Sequence, residues 1–559
     1  MAQHVPKVGL GRFMKEGATH YRGVEEAVRR NIEAATELAA TVRSSFGPFG
    51  MNKMVIDHLE KLFLTNDAAT ILKQLEVDHP AARMLVMASQ QQDAEIGDGT
   101  NSVVILAAAL LENADELLLM GLKPVEIIDG YELAEAKALE LVPSLVCEQV
   151  NDIRNVEQLT RAIRPVLCSK QLGNHELLAD LVARACIQIL PKNELSLNVD
   201  NVRVCKILGS SVGSSTVMNG MVFKRQAEGN VKKVTDAKIA VFTCPFDVTA
   251  TETKGTVLLN TANELLNFSK GEEAEIEAQV QQLKDAGVTC VVSGGKFGDL
   301  YLNFLNSFGI MAVRVTSKFD LRRVCRTVGA TAMTRITRPP PAAIGHCSVV
   351  QTDELGDQEL VVFKQDSESG KVATVVLRGS STNVLDDIER AVDDAVNTVK
   401  ALTKDRQLVA GAGACELELA RQIESYGEKC AGLEQYAIKK YALALEALPK
   451  QLADNAGLKS TELLSKLYAA HTAGRTRAGV DVTSANSTAP TKSSQQLSLI
   501  EDAQQAGVLD LYALKVSMIR LATNAAVTVL KVDQIIRAKP AGAGPKPPEG
   551  HQGMDADDD

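Results

Sequence analysis

The chain has 559 residues and a mass of 59.9 kDa, more than one hydrophobic core ordinarily supports, so two to four domains are expected. With 45% hydrophobic and 23% charged residues, the composition excludes a fibrous or wholly disordered chain. A formal charge of −10 gives no clustered surplus of Lys and Arg, and no nucleic-acid partner is expected.

The opening stretch MAQHVPKVGLGRF has neither the apolar core of a secretory signal nor the Arg-rich amphipathic pattern of a transit peptide, so a cytoplasmic location is expected. From Arg22 to Val42, apolar residues recur at three- and four-residue steps (Val24, Val28, Ile32, Ala35, Leu38, Val42), the stripe of one long amphipathic helix. It runs into a Gly-Pro-x-Gly turn in SSFGPFGMNKM (44–54), where glycines let backbone N–H groups approach a phosphate. By itself that string reads first as a plain tight turn, and it lacks the GxxxxGK[ST] spacing. TNDAATIL (65–72) and DAEIGDGTNSVV (93–104) follow, the second setting Asp98 between two glycines ahead of a helix. A carboxylate there is either a helix cap or a ligand for a Mg²⁺–phosphate complex, with Thr100, Asn101 and Ser102 as phosphate donors. SVVILAAALLENADELLLMG reads as a largely buried helix. Its apolar run, Val103 to Leu111, is far short of the ~20 residues of a membrane span, so no membrane partner is expected. The pattern stays helical to about Val150, and this first region is expected to be nearly all helix.

From about Ala237 the period changes to short β-rich runs, KIAVFT, VTCVVS and MAVRVT, alternating with helical segments such as EEAEIEAQVQQLKDAG. Residues 219–369 are therefore read as a separate α/β domain. FSKGEEAEIEAQVQQL is charged and long enough to protrude from it. After a strand at ATVVLRG (373–379) the helical pattern returns to about Ile536. TSANSTAPTKSSQQ (483–496) reads as a surface loop, and the Pro-, Gly- and Asp-rich tail 537–559 as disordered. The 10 cysteines lie singly from Cys147 to Cys430 without a CxxC pair, the pattern of buried reduced thiols.

These strings, together with VAGAGACELELA (409–420), ALPKQLADNAG (447–457) and GVLDLYALK (507–515), resemble the group II chaperonins, the T-complex polypeptide family, over nearly the whole chain. The family pattern runs approximately TLGPKGMDKM, NDGATIL, GDGTT, LLRG, an Asp-Ala pair on a helix, GGGA and LADNAG, in this order. CPFDVTATETKGTV followed by NFSKGEEAEIEAQV is similar to one paralogue of the eukaryotic cytosolic complex in particular.

The resemblance implies a multidomain α+β chaperonin fold. An all-α equatorial domain (1–150 and 406–536) would bind ATP. An α+β intermediate domain (151–218 and 370–405) would act as a hinge. An α/β apical domain (219–369) would carry a helical lid protrusion around 250–285. It implies two stacked eight-membered rings of paralogous subunits that hydrolyse ATP to close a folding chamber around unfolded cytosolic proteins such as actin and tubulin. Carried over by position, Asp98 would ligate Mg²⁺, while Ser45, Gly47, Pro48, Gly99, Thr100, Asn101 and Ser102 would line the phosphates. Asp67 and Asp394 would position the attacking water, Asp394 swinging in as the intermediate domain closes. Lys170 would sense the γ-phosphate. Gly411 and Ala412 would pack on ribose and base, with Asp510 near the sugar or adenine of ATP or ADP. Two carboxylates and a metal suffice for phosphoryl transfer, which depends mainly on positioning and charge neutralisation.

Four positions depart from the family pattern, with Phe49 for lysine, Ala68 and Ala412 for glycine, and Asn101 for threonine. A lost cation and two added methyls predict weaker nucleotide binding or slower turnover than the full pattern, down to a ring scaffold with a slow ATPase. A stand-alone metabolic ATPase or kinase is the other reading, but the chain has no HRD, DFG or HExxH string.

Overall fold

The computed structural model describes residues 19–22, 27–57, 60–191, 197–247, 261–356, 358–365, 372–482 and 499–537. The tail from 538, the loop 483–496, and most of the lid segment before 261 lie outside them.

Strand β1 (Thr19–Arg22) precedes helix α1 (Arg29–Arg43), so the stripe that begins at Arg22 divides: Arg22 ends a strand, and the helix follows. A hairpin, β2 (Lys53–Ile56) and β3 (Leu62–Thr65), then leads into α2 (Ala68–Gln74), α3 (Pro80–Glu95), α4 (Thr100–Leu119), α5 (Pro124–Leu141) and β4 (Val146–Gln149). The hairpin corrects the expectation of a nearly all-helical region. Helices α6 (Val156–Lys170) and α7 (His175–Ile189) precede β5 (Val202–Leu208), β6 (Thr216–Phe223) and β7 (Lys233–Phe242). Next come α8 (Ala262–Asp285), β8 (Cys290–Ser293), α9 (Asp299–Ser307), β9 (Met311–Arg314), α10 (Lys318–Val328), β10 (Gly345–Leu355) and β11 (Gln358–Lys364). β12 (Ala373–Gly379) and the long α11 (Thr382–Lys404) lead to β13 (Gln407–Ala410), α12 (Ala414–Gly427), α13 (Glu434–Leu445), α14 (Ala447–Asn455) and α15 (Ser460–Thr472). The chain closes with β14 (Gly479–Val480), β15 (Leu499–Ile500), α16 (Ala503–Ala506), β16 (Leu509–Leu511), α17 (Tyr512–Leu530) and β17 (Gln534–Arg537).

Burial sorts these elements. In the first core, α4 is the centre: Val103 to Leu111 are buried all round, because α1, α3, α13 and α17 pack against its different faces. Both ends of the chain contribute, and β1 pairs antiparallel with β17. α17 has the length and hydropathy of a membrane span, but it is mostly buried in this core. A second core joins α6, α7 and α11 to β5 and β12. The third lies on the eight-stranded sheet β5-β12-β6-β11-β10-β7-β8-β9. In β7, Ala237, Ile239 and Val241 face one side, and Ala240 and Phe242 the other, the two-residue alternation of a strand covered on both faces. Phe246 ties the second face together, with ring centroids 5.0 Å from Phe242, 5.2 Å from Phe297 and 5.6 Å from Tyr301.

The charged helix expected to protrude is anchored along its C-terminal part. Ile276, Val280 and Leu283, spaced four and three apart, are buried against the sheet, so this part of 250–285 belongs to the body of the α/β unit. All 10 cysteines are free thiols, and five of them are buried.

Candidate functional site

Three turns at helix ends converge on a cavity of about 470 Å³, within the range of small-molecule sites. The first follows α1. Gly47 takes a left-handed φ of 82°, and the Gly50 N–H donates to the Gly47 carbonyl at 2.9 Å. Asn455 of the LADNAG string holds this turn from behind, donating to the carbonyls of Arg43 (3.0 Å) and Phe46 (2.7 Å). A side chain at 47 would meet Leu452 Cδ2 at 2.6 Å, so glycine is required both by φ and by space.

The second turn carries Asp67 into α2. Its carboxylate caps the helix, accepting from the Thr70 N–H (3.0 Å) and hydroxyl (2.8 Å), and from Thr100 Oγ1 at 3.0 Å. Burial pushes its pKa up, but Lys170 and these hydrogen bonds outweigh it and hold the carboxyl at about 2. The third turn is Gly97-Asp98-Gly99, with both glycines left-handed (φ 84° and 76°), and α4 starts immediately after it. Asp98 lines the cavity, and its pKa is raised, chiefly by desolvation and also by Asp510 and Asp67, with Lys170 only partly opposing.

Asn101, in place of the family's threonine, ties the three turns together. Its amide donates to Ser45 Oγ (3.1 Å) and to the Asn66 carbonyl (3.4 Å), while its Oδ1 accepts from the Ala68 N–H at 2.8 Å. A threonine hydroxyl, with one proton to give, could not make both donated bonds. Ala68 does not narrow the approach to a ligand as expected: it is fully buried in the first core and outside the cavity wall. Ala412 is on the wall, with a φ of 55° that a side chain adopts only under strain. Its methyl lies over Gly479, where an added Cβ would stand 2.9 Å from it.

The acids of α11 separate by face. Asp387, Ala391, Asp394 and Thr398, at helical spacing, are all buried, whereas Asp386 and Glu389 clasp Lys206 at 2.5 and 2.6 Å on the outer side. Asp394 pairs with Lys170 at the end of α6, and the same ammonium reaches Asp67 Oδ1 at 3.2 Å. Burial alone would lower the pKa of Lys170, but Asp394, Asp67 and Asp98 raise it and keep it charged. Asp394 moves the other way: desolvation, with Asp67 and Asp98 adding, pushes its carboxyl well above the ordinary range, although Lys170 opposes the rise. Asp394 is thus already seated against Lys170 in this structure.

Ser45, Gly47, Pro48, Asp98, Gly99, Thr100, Asn101, Ser102, Lys170, Ala412 and Asp510 all line the cavity. Asp67 and Asp394 meet at its edge through Lys170, and Gly411 lies one residue behind Ala412, against Asp510. Sequence reading missed Glu416 and Lys515. Lys515 pairs with Glu416 and, at 2.6 Å, with Asp510, forming a buried charged cluster at the far wall. Both stood inside quoted strings, and a Lys five residues after Asp510 at the start of an apolar helix was the available signal.

Among the described residues no group of three or more His, Cys, Asp or Glu forms a metal cage. Asp98, desolvated and crowded by other acids, nevertheless fits a Mg²⁺ ion held by one carboxylate together with substrate phosphates and water, a usual arrangement for this ion.

Residues 38–540 match the family model described as the TCP-1/cpn60 chaperonin family. The chain is 58% identical to T-complex protein 1 subunit theta of Caenorhabditis elegans over 559 residues, covering 100% of both chains. It is 56% identical to the Homo sapiens protein of that name and 54% identical to that of Gallus gallus, each over 558 residues and 100% of both chains.

Proposed function

The chain belongs to the TCP-1/cpn60 chaperonin family, and on that footing we propose that it is the theta-type subunit of a hetero-oligomeric double ring that hydrolyses ATP to drive protein folding. The observation that carries the ATPase reading is the meeting of Asp67 and Asp394 on one buried lysine, at the edge of a cavity whose wall holds Asp98 and the N-terminus of α4.

In this reading the backbone around Gly47 and the Thr100–Ser102 start of α4 bind the phosphates, since both present N–H groups at a concave turn. Mg²⁺, held by Asp98, would supply charge neutralisation at the phosphate oxygens. Lys170 is freed from its two carboxylates as the γ-phosphate arrives and takes up that negative charge instead. Asp394, with its raised pKa, accepts the proton of the attacking water, while Asp67, ionised and fixed by Thr70 and Thr100, orients that water. The domains proposed are equatorial 1–150 and 406–536, intermediate 151–218 and 370–405, and apical 219–369; the first core, drawn from residues 28–142 and 409–530, supports an equatorial domain built from both ends of the chain. A cytosolic location, paralogous neighbours in eight-membered rings and clients such as actin and tubulin belong to the same proposal.

The test is native size and ATP turnover of the complex carrying the wild-type chain against Asp394→Ala. Co-migration with several other ~60 kDa chains and a partial fall in turnover with assembly intact are expected. A monomer with unchanged turnover would overturn both the ring assignment and the role of Asp394.

A further inference from the structure

The Gly97-Asp98-Gly99 turn has glycines in left-handed conformations on both sides of the aspartate, and the Gly99 N–H bonds the Asp98 carboxylate within it, so the carboxylate points wherever that turn is held. What fixes it is Gln92, near the end of α3 and fully buried. Its backbone carbonyl accepts from the N–H groups of Ile96 (3.0 Å) and Gly97 (3.2 Å), and its side-chain Nε2 donates to the Asp98 carbonyl at 2.9 Å. One residue therefore holds the turn before and at the aspartate. The other end of the amide is also committed: Oε1 accepts from Ser517 Oγ of α17 at 2.7 Å. The amide lies close under Gly99, where an added Cβ would stand 3.4 Å from Nε2 and 3.2 Å from Leu514 of α17. A buried amide is costly unless both its ends are bonded, and here both bonds lead somewhere specific. α17 also carries Lys515, whose ammonium sits between Asp510 and Glu416 on the far wall of the cavity. The path Ser517–Gln92–Asp98 thus joins that wall to the aspartate turn.

We propose that Gln92, oriented by Ser517, is a positioning residue that fixes Asp98 for metal-bound nucleotide. This rests on the reading of Asp98 as the Mg²⁺ ligand. Gln92 touches neither substrate nor metal and acts through the turn, as the outer partners of metal ligands commonly do.

The test uses the assembled complex and Mn²⁺ as the probe, titrated by electron paramagnetic resonance in the presence of ADP, with ADP affinity in EDTA measured in parallel. Gln92→Leu keeps the volume and removes the donor, and Gln92→Glu keeps the shape but sets a carboxylate against the Asp98 carbonyl. Both should weaken Mn²⁺ binding roughly tenfold, the low end for loss of an outer-shell partner, while metal-free ADP affinity changes less than about twofold. Ser517→Ala should shift Mn²⁺ affinity in the same direction by a smaller factor, and it decides the matter if the Gln92 variants do not assemble. Asp98→Asn serves as the control. If it weakens Mn²⁺ binding while the Gln92 and Ser517 variants bind as wild type, or lose ADP affinity equally with and without metal, the positioning role is overturned. If Asp98→Asn itself binds Mn²⁺ as wild type, it is the metal reading that has failed, and the proposal goes with it.

Discussion

Replacing Lys170 by methionine isolates the electrostatics of the site. The ammonium is 11% exposed and sits between Asp67 and Asp394, each 10% exposed, so its removal leaves two carboxylates in a largely dry space with no cation between them. Breaking a buried pair by removing one partner costs about 3 to 5 kcal/mol, chiefly through the charge left behind. The cost depends on pH, and the sign follows from the acids. In the wild type, Asp67 is held at about 2 and favours the folded state at any pH above the ordinary carboxylate range. Asp394 is raised by burial already in the wild type, and without Lys170 burial dominates Asp67 as well, so both folded pKa values lie above the unfolded ones and the folded variant binds protons more readily than the unfolded chain. Its stability therefore rises as pH falls, by up to about 1.4 kcal/mol per pH unit for each such group. Urea denaturation of wild type and Lys170→Met at pH 8.0 and pH 5.5 should show the full penalty at pH 8.0 and roughly half of it at pH 5.5. A penalty equal at both pH values, or below about 1 kcal/mol at pH 8.0, would refute the argument that Lys170 neutralises these acids.

Other substitutions probe the neighbouring contacts. Gly97→Ala places a Cβ 2.5 Å from Asn397 Cβ of α11 at a φ of 84°, so it should keep α11 from seating and lower ATP turnover at least tenfold, read by steady-state phosphate release. Ala412→Gly relieves a left-handed alanine at some gain in unfolded-chain entropy, so stability should change by less than about 1 kcal/mol while the ADP dissociation constant falls, read by calorimetry. Glu418 is buried. Burial pushes its pKa up, but hydrogen bonds from His471, Arg421 and Gln422 hold it at about 2, so its contribution is present above the ordinary pKa and lost as pH falls towards 2. Glu418→Gln should accordingly cost about 2 to 3 kcal/mol at pH 7, and the difference from wild type should shrink on acid titration followed by circular dichroism.

Much of the fold was legible where pattern and length agree. The strand at ATVVLRG spans Ala373–Gly379, and KIAVFT, VTCVVS and MAVRVT fall on β7, β8 and β9. The β2–β3 hairpin escaped because its connection, DHLEK, has no Gly, Pro or Asn to mark a turn, and its apolar Met54 and Ile56 stay exposed. Lys170 has no local signal at all, since it acquires meaning only by meeting Asp67, 103 residues away, and Asp394. The burial of Asp394 was readable: Asp387 and Asp394 are seven residues apart on the stripe of Ala391, whereas Asp386 and Glu389 face outward. The effect of Ala68 was misjudged because its methyl turns into the core and only its N–H, bonded to Asn101, belongs to the site.

The central claim is that Asp394 takes the proton of the water that attacks bound ATP. The most direct measurement is single-turnover cleavage of Mg–ATP held by this chain in the assembled complex, wild type against Asp394→Asn. The account predicts ATP that stays bound, with affinity within about threefold of wild type, and is cleaved at least a hundredfold more slowly. Cleavage of the bound ATP at the wild-type rate would contradict it.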